Sequence, residues 1–241
     1  MMSGCWAKIL LAITLIITAL EHLESSAIPI ATNTNLTNLL PQPDPSKPNH
    51  YLMANPLPFD ARLIDIHSVN PNIILDIRYA TENNFLQRKL YPVARCVLRG
   101  GAARRLSEVQ EYLETKGLGL KVFDCYRPLS VQKQMWQVKP DSRYVANPAR
   151  GSRHNRGAAV DLTLVDSNGN ELEMPTDFDD FTEKAHRNYQ GGSAEARKNS
   201  QILEEAMERS GFISLATEWW HFDAPNWQNY AILDVKFGEI P

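Results

Sequence analysis

The 241-residue chain has no large excess of charge of either sign and no internal repeat. It carries 25 Lys and Arg against 28 Asp and Glu, for a net charge of −3. A nucleic-acid-binding protein needs a concentrated basic surface, so this balance argues against one. The hydrophobic content of 43% is enough for a packed core and excludes a disordered or collagen-like chain. Any function must therefore come from a local site.

The chain also lacks an apolar run long enough to cross a bilayer, which takes about 20 residues. Its longest run covers only residues 9–20, behind Lys8, and is followed by the small residues Ser25 and Ala27. A basic start, a short apolar stretch and small residues before a cleavage point are typical of a secretory signal peptide. We therefore predict a signal peptide over residues 1–27 and an exported protein, periplasmic or secreted, with no membrane span after cleavage. An uncleaved membrane anchor is the alternative.

Cysteine is scarce, with three in the whole chain. Beyond the predicted signal peptide only Cys96 and Cys125 remain, and no CxxC pattern exists, which excludes a cysteine-based zinc site. In an exported protein the pair is compatible with a disulfide, but two buried free thiols explain it equally well. Residues 28–58 are rich in Pro, Asn and Thr without periodicity, so they are predicted to form an extended linker to a domain over residues 59–241.

Helix and strand patterns are mixed within this domain. Apolar spacing predicts helices over residues 102–116, 130–138 and 200–210. Strands are predicted over residues 73–79, 120–123, 159–164, 212–222 and 231–235. Interspersed helices and short strands indicate an α+β fold, a small and mainly antiparallel sheet with helices packed around it.

A first candidate site motif pairs His154 with Asp161. The two are seven residues apart and separated by Gly157, so a turn that leads into a strand would bring imidazole and carboxylate to one metal ion. By itself the pair is also explained by a turn histidine and a capping aspartate.

A second motif is Glu218 followed by two tryptophans and His221. Hydrolytic zinc needs three protein ligands, a fourth position for water whose pKa falls to about 7, and a free carboxylate that takes the proton. Residues i and i+3 of a flat strand face opposite sides, so sharing a site requires a twist or bulge at Trp219 and Trp220. The alternative is that the tryptophans are core and a backbone carbonyl satisfies His221.

A third motif is the segment from Asp124 to Pro128, at the end of a predicted strand. Arg127 is placed to stabilise a developing oxyanion by charge and hydrogen bonds. An ion pair with Asp124 that only fixes the loop is the competing interpretation.

In combination the three motifs resemble the zinc D-alanyl-D-alanine dipeptidases of the vancomycin-resistance type. That family belongs to a wider group of metallopeptidases that includes D-Ala-D-Ala carboxypeptidases and the hedgehog signalling domain. The likeness covers about residues 60–237. It rests on Ser-x-His-x-x-Gly-x-Ala-x-Asp at residues 152–161, Glu-x-Trp-His at 218–221, Tyr-Arg-Pro at 126–128, and Arg-Tyr-Ala-Thr at 78–81 with Asn-Phe at 84–85.

The resemblance implies a role for eight residues. His154, Asp161 and His221 would be the ligands of Zn²⁺ at the sheet, Glu218 the general base, and Arg127 a partner of zinc in holding the tetrahedral intermediate. The substrate contacts would be Ser152, Tyr79 and Asp179. Asp179 ends the family's Met-x-x-x-Phe-Asp stretch and would bind the substrate ammonium. Cys125 and Pro175 depart from the family pattern, so the pocket of this protein is expected to differ in shape if either residue alters its local backbone.

The sequence therefore predicts a zinc metallopeptidase that hydrolyses the small dipeptide D-alanyl-D-alanine. One alternative is a D,D- or L,D-carboxypeptidase that acts on peptidoglycan stem peptides. Another is a non-catalytic, zinc-stabilised cell-wall binding module, against which Glu218 argues because a structural site needs no free base. His67 and His186 fall outside every motif and are predicted to be structural or on the surface. No oligomeric state follows from the sequence.

Overall fold

A five-stranded sheet forms the centre of the computed structural model, which describes residues 57–241. Its strand order is β2-β4-β5-β7-β6, and only the β2–β4 pairing is parallel. The strands are β2 (Ile74–Leu75), β4 (Leu118–Asp124), β5 (Ala159–Asp166), β6 (Ile213–Ser214) and β7 (His221–Asp223). A separate antiparallel pair joins β1 (Leu63–Asp65) to β3 (Val97–Arg99). The predicted signal peptide and nearly all of the predicted linker lie outside the described residues.

The middle strand, β5, is buried from Ala159 to Val165. A strand that is covered on both faces has a nearly continuous apolar sequence, and β5 follows this rule except at Asp161 and Thr163. Burying a carboxylate is costly unless it is paired or binds a metal, so Asp161 needs a partner, as do the buried Asp124 of β4 and Asp223 of β7.

The described residues 57–241 contain three α-helices, α1 (Gly100–Glu114), α2 (Leu129–Val138) and α3 (Ala194–Arg209), of which α1 and α3 contact strands of the sheet. Leu106, Val109 and Leu113 lie on the buried side of α1, as their spacing predicts. The α+β fold predicted from the sequence is confirmed. No helix among residues 57–241 is both long enough and apolar enough to cross a membrane.

Two helices differ by only one or two residues from their predicted bounds, and the third differs more. The third helix begins at Ala194, six residues before its predicted start, because Ser193 caps it by accepting a hydrogen bond from the Ala196 amide at 2.9 Å. The first turns of α3 are mostly polar and lack apolar periodicity. Ser193 was therefore the only feature of the sequence that marked where this helix begins.

Two strand predictions were wrong in extent, and a third predicted a strand that does not form. Residues 73–79 contribute only the two residues of β2, and residues 212–222 contain two short strands separated by a loop. Residues 231–235 form no strand, because their backbone bonds to loops and to a side chain: Leu233 donates to the Asn155 carbonyl at 2.8 Å and Val235 donates to the Tyr126 hydroxyl at 2.8 Å.

Candidate metal and active site

A tight turn brings His154 close to Asp161. His154 opens a short 3-10 turn that ends at Gly157, whose backbone is left-handed with φ of 66°. Glycine adopts this conformation without steric cost, and a Cβ here would come within 2.7 Å of a Leu63 methyl group. The chain then enters β5, which carries Asp161 as its third residue.

The register of the sheet supplies the third member of the cluster. His221 is the first residue of β7 and lies directly opposite Asp161 of β5. Side chains at directly opposed positions on one face of two strands are near neighbours. The cross-strand pairing therefore joins residues that are 60 positions apart in the chain.

The three side chains converge on one point. Asp161 Oδ1 lies 2.9 Å from His221 Nδ1, Asp161 Oδ2 lies 3.4 Å from His154 Nε2, and the two histidine nitrogens are 3.2 Å apart. Tetrahedral zinc with bonds of about 2.0–2.1 Å holds its ligand atoms about 3.3 Å from each other. All three side chains are buried. The cluster thus has both the donor set and the spacing that zinc needs.

Outer hydrogen bonds fix which histidine nitrogen faces the cluster. His154 Nδ1 lies 2.7 Å from the Cys125 carbonyl, and His221 Nε2 lies 2.9 Å from Asp223 Oδ1. Each of these nitrogens must carry its proton to make such a bond, so the opposite nitrogen presents its lone pair to the metal. Metal-binding histidines are usually held in this way.

The charges within the cluster match a cation site. Burial acts to raise the pKa of Asp161, but the adjacent histidines outweigh burial and hold that pKa well below its usual range. Burial acts to lower the pKa of His221, but hydrogen bonds with Asp161 and Asp223 raise it to about 10. Without metal the cluster therefore holds a proton on imidazole, which a divalent cation replaces on binding.

Glu218 reaches the cluster from a loop. Strand β7 starts only at His221, so the alternation of a flat strand does not apply to Glu218, and its Oε2 lies 3.8 Å from His221 Nδ1. Burial raises the pKa of Glu218 to about 7. Trp219 and Trp220 are both in the core, as the alternative interpretation expected, whereas His221 bonds to carboxylates and not to a backbone carbonyl.

Arg127 is both an ion-pair partner and part of the site wall. Its Nη2 lies 2.6 Å from Asp124 Oδ2, and its Nη1 donates to Gln132 Oε1 at 2.9 Å. The predicted loop-fixing pair with Asp124 is therefore present. The guanidinium also lies over the Tyr79 ring at 5.2 Å and faces the cavity next to the cluster.

Tyr79 and Asp179 also line the cavity, next to Arg127. The Tyr79 hydroxyl donates to the Asp179 carboxylate, with oxygen–oxygen distances of 3.0 and 3.2 Å. Burial and the charge of Asp161 raise the pKa of Asp179 well above its ordinary value. Asp179 adopts a left-handed backbone with φ of 63°, which aspartate tolerates better than most residues.

One small cavity of about 100 Å³ is lined by every residue that the sequence singled out for the site. Ser152 completes the set, and its hydroxyl also accepts a hydrogen bond from the His154 amide at 3.2 Å. The structure brings together these eight: Tyr79, Arg127, Ser152, His154, Asp161, Asp179, Glu218 and His221. Their individual roles remain predictions.

The family model described as D-ala-D-ala dipeptidase, of the M15 peptidases, matches residues 60–237. The chain belongs to this family. It is a metallopeptidase, and the prediction of zinc-dependent D-alanyl-D-alanine hydrolysis is confirmed at the level of the family. The His154–Asp161–His221 cluster likewise fits the predicted Zn²⁺ cofactor.

Several D-alanyl-D-alanine dipeptidases are similar to this M15 peptidase. That of Escherichia coli K12 is 35% identical over 175 residues, covering 73% of this chain and 91% of its own. That of Enterococcus faecalis is 34% identical, covering 61% and 83%, and that of Enterococcus faecium is 32% identical, covering 67% and 92%. A crystal structure of the vancomycin-resistance D,D-pentapeptidase VanY with Zn(II) aligns at a TM-score of 0.35 and 16% identity, over 55% of this chain and 75% of that one.

Sequence reasoning missed several residues of this peptidase site. One is Asp223, which bonds to His221. It lies two positions after His221 in β7, and residues two apart in a strand point to the same face, so the sequence did contain a signal for it. Gln132, on the buried side of α2, offered no such signal. The disulfide between Cys96 and Cys125 resolves the open choice about these cysteines. His67, by contrast, lies outside the cavity, and its Nε2 is 2.9 Å from the Ile73 carbonyl.

Proposed function

We propose that this M15 peptidase cleaves free D-alanyl-D-alanine, with Glu218 as the general base and Asp179 as the partner of the substrate ammonium. The observation that carries the proposal is the position of these two carboxylates on one cavity of about 100 Å³ beside the His154–Asp161–His221 cluster. Zinc, held by that cluster, supplies a Lewis acid and lowers the pKa of water.

Glu218 moves the proton. Its pKa of about 7 suits a group that accepts a proton from the attacking water and later delivers it to the departing amine, because such a group works best near the operating pH. Its carboxylate is buried beside His221, which keeps it in place between the two steps.

Arg127 stabilises the negative charge that develops on the carbonyl oxygen. The ion pair with Asp124 and the bond to Gln132 hold its guanidinium in one orientation before the substrate arrives. A donor that needs no reorganisation during the reaction stabilises the transition state more than a mobile one.

Asp179 and Tyr79 select the free amino terminus. The hydroxyl of Tyr79 orients the carboxylate, and the ammonium of the dipeptide supplies the positive charge that the buried acid lacks. Ser152, on the same cavity, contributes a hydroxyl at the other substrate terminus. A carboxypeptidase acting on stem peptides would have no use for a carboxylate at this position.

The deciding experiment compares D-Ala-D-Ala with N-acetyl-D-Ala-D-Ala. Capping removes the positive charge that Asp179 would bind, so the buried ion pair between carboxylate and ammonium cannot form. We expect kcat/KM for the capped peptide to fall at least about a hundredfold, since each 1.4 kcal/mol is about tenfold. Asp179→Asn should shrink this ratio mainly by weakening cleavage of the free dipeptide. Equal kcat/KM for both peptides would favour the carboxypeptidase alternative.

The proposal includes export. The pattern of residues 1–27 supports it, and so does the Cys96–Cys125 disulfide, because structural disulfides persist mainly outside the reducing cytoplasm. Fractionation of the native host with intact-mass analysis tests it. A shortened protein outside the cytoplasm is expected, whereas a full-length cytoplasmic protein would contradict export.

A further inference from the structure

Glu218 lies in a loop, residues 215–220, whose own backbone hydrogen bonds are long. The bonds within this segment are Leu215 N–H to His221 carbonyl at 3.2 Å, Glu218 N–H to Leu215 carbonyl at 3.3 Å, and His221 N–H to Glu218 carbonyl at 3.4 Å. Backbone hydrogen bonds are most often about 2.9–3.0 Å long, so all of these are long. The loop's own bonds do not explain how Glu218 keeps its position.

Arg187 lies outside this loop and donates hydrogen bonds to backbone carbonyls at both of its ends. Its Nε donates to the Leu215 carbonyl at 3.0 Å, and its Nη2 donates to the His221 carbonyl at 3.1 Å. Its backbone N–H donates to the Ala216 carbonyl, also at 3.0 Å. One residue thus bonds to the start and the end of the segment that presents Glu218.

The Arg187 side chain is itself held rigidly. Its guanidinium lies over the Phe222 ring at 4.4 Å, its Nε lies 3.7 Å from Glu204 Oε1 of α3, and the side chain is only 9% exposed. Just before it in the chain, the Ala185 carbonyl accepts from the Trp219 amide at 3.0 Å. The loop is therefore hydrogen-bonded to residues 185–187, and this segment is held in turn by Glu204 of α3 and by the buried Phe222 ring.

We propose that Arg187 is a positioning residue that fixes the loop so that Glu218 stays at its working distance from the His221 side of the metal cluster. Arg187 touches neither the cavity nor the metal ligands' side chains, so it acts through the loop. The catalytic part of this inference rests on the proposed role of Glu218 as the base.

The geometry requires a guanidinium. Two carbonyls at opposite ends of the loop are bridged by two nitrogens of one planar group, and the one nitrogen of a lysine ammonium does not reproduce this fixed spacing. Arg187→Lys keeps the charge near Glu204 but loses at least one of the two bonds. A misplacement of about 1 Å at a reacting group lowers turnover by as much as about a hundredfold.

The test measures kcat, KM, zinc content and the rate of amide hydrogen exchange at residues 215–220 in Arg187→Lys. We expect kcat to fall about 10–100-fold while KM and zinc content stay near wild type, and amide exchange to accelerate selectively at residues 215–220. Arg105→Lys is the control, because Arg105 also donates to a carbonyl, that of Ser210, which lies outside the loop. It should leave all four quantities unchanged. A kcat within twofold of wild type in Arg187→Lys would overturn the proposal.

A rescue experiment separates positioning from simple support of the fold. An open cleft beside Arg187, lined among others by His186, Glu204 and Thr217, gives solvent access to the space that Arg187→Ala vacates. Methylguanidinium at millimolar concentration should restore part of kcat in Arg187→Ala, and methylammonium should not. Recovery by neither compound, or by both equally, would count against a positioning role.

The exchange readout keeps the two hypotheses apart. If Glu218→Gln proved as active as wild type, Glu218 would not be the base, and the proposed mechanism would fail. Faster exchange of the loop in Arg187→Lys would still show that Arg187 fastens it. A kcat within twofold of wild type in Arg187→Lys would reject the positioning role of Arg187 while leaving Glu218 as the base.

Discussion

Asp161 and His221 lie directly opposite each other on β5 and β7, with Oδ1 2.9 Å from Nδ1. The strand register, and not proximity in sequence, therefore builds the core of the metal site. His154 joins this pair from the turn that precedes β5.

Replacing any one ligand should reduce zinc binding. His154→Ala, Asp161→Ala and His221→Ala each leave two ligands, too few for a stable zinc site, so the purified variants should hold well below the one zinc per chain expected of wild type. Elemental analysis of dialysed protein measures this, and His67→Ala, outside the cavity, is the control. Full occupancy in all three variants would refute the ligand assignment.

Asp223 should control zinc affinity without touching the metal. Asp223→Asn weakens the hold on the His221 Nε2 proton, and loss of such an outer partner typically costs 10–100-fold in metal affinity. Competition with a chromogenic chelator gives the dissociation constant. Asp60→Asn, which alters an exposed pair with Arg104, should leave it unchanged. Equal affinity in Asp223→Asn and wild type would show that the contact is dispensable.

Glu218→Gln should keep zinc but lose roughly 10²–10⁴ in kcat, the usual contribution of a positioned proton-transfer group. The amide is nearly the same size as the carboxylate, so the loop and the metal content should survive. Steady-state kinetics with parallel metal analysis distinguish the two effects. Near-normal turnover would remove Glu218 as the base.

Arg127→Lys should lower kcat more than it raises KM, since stabilisation of an oxyanion grows in the transition state. Lysine keeps a charge for Asp124 but not the fork that reaches both Asp124 and Gln132. Arg127→Ala should also unfold more easily, by about 3–5 kcal/mol, because it leaves the buried Asp124 without its partner. A rise in KM alone would make Arg127 a binding residue.

The disulfide should contribute to stability and to the metal site together. It joins residues 29 positions apart, and the chain-entropy relation gives about 3–4 kcal/mol for a loop of this length. Chemical denaturation of a Cys96→Ala, Cys125→Ala double variant measures this loss. Because the Cys125 carbonyl accepts from His154 Nδ1, zinc affinity should fall as well. Wild-type affinity in a destabilised double variant would show that the disulfide serves only the fold.

The candidate metal cluster and the family were within reach of the sequence because they depend on short motifs with fixed spacing. His154, Gly157 and Asp161 act within one turn and one strand, so their residue types and separation describe the geometry almost completely. The α1 helix was predictable for the same reason, since its apolar periodicity is local.

The tertiary structure decided what depends on long-range pairing. A single strand over residues 212–222 fits the apolar pattern. The structure has a loop before His221 instead, whose backbone bonds to residues about 30 positions earlier: its Leu215 carbonyl accepts from Arg187, and its Trp219 amide donates to the Ala185 carbonyl. The choice between a disulfide and free thiols at Cys96 and Cys125 likewise depended on how β3 lies beside the segment after β4. Residue type and spacing determined which groups this protein has for chemistry. Strand register and side-chain direction, which no local pattern encodes, decided which of them meet.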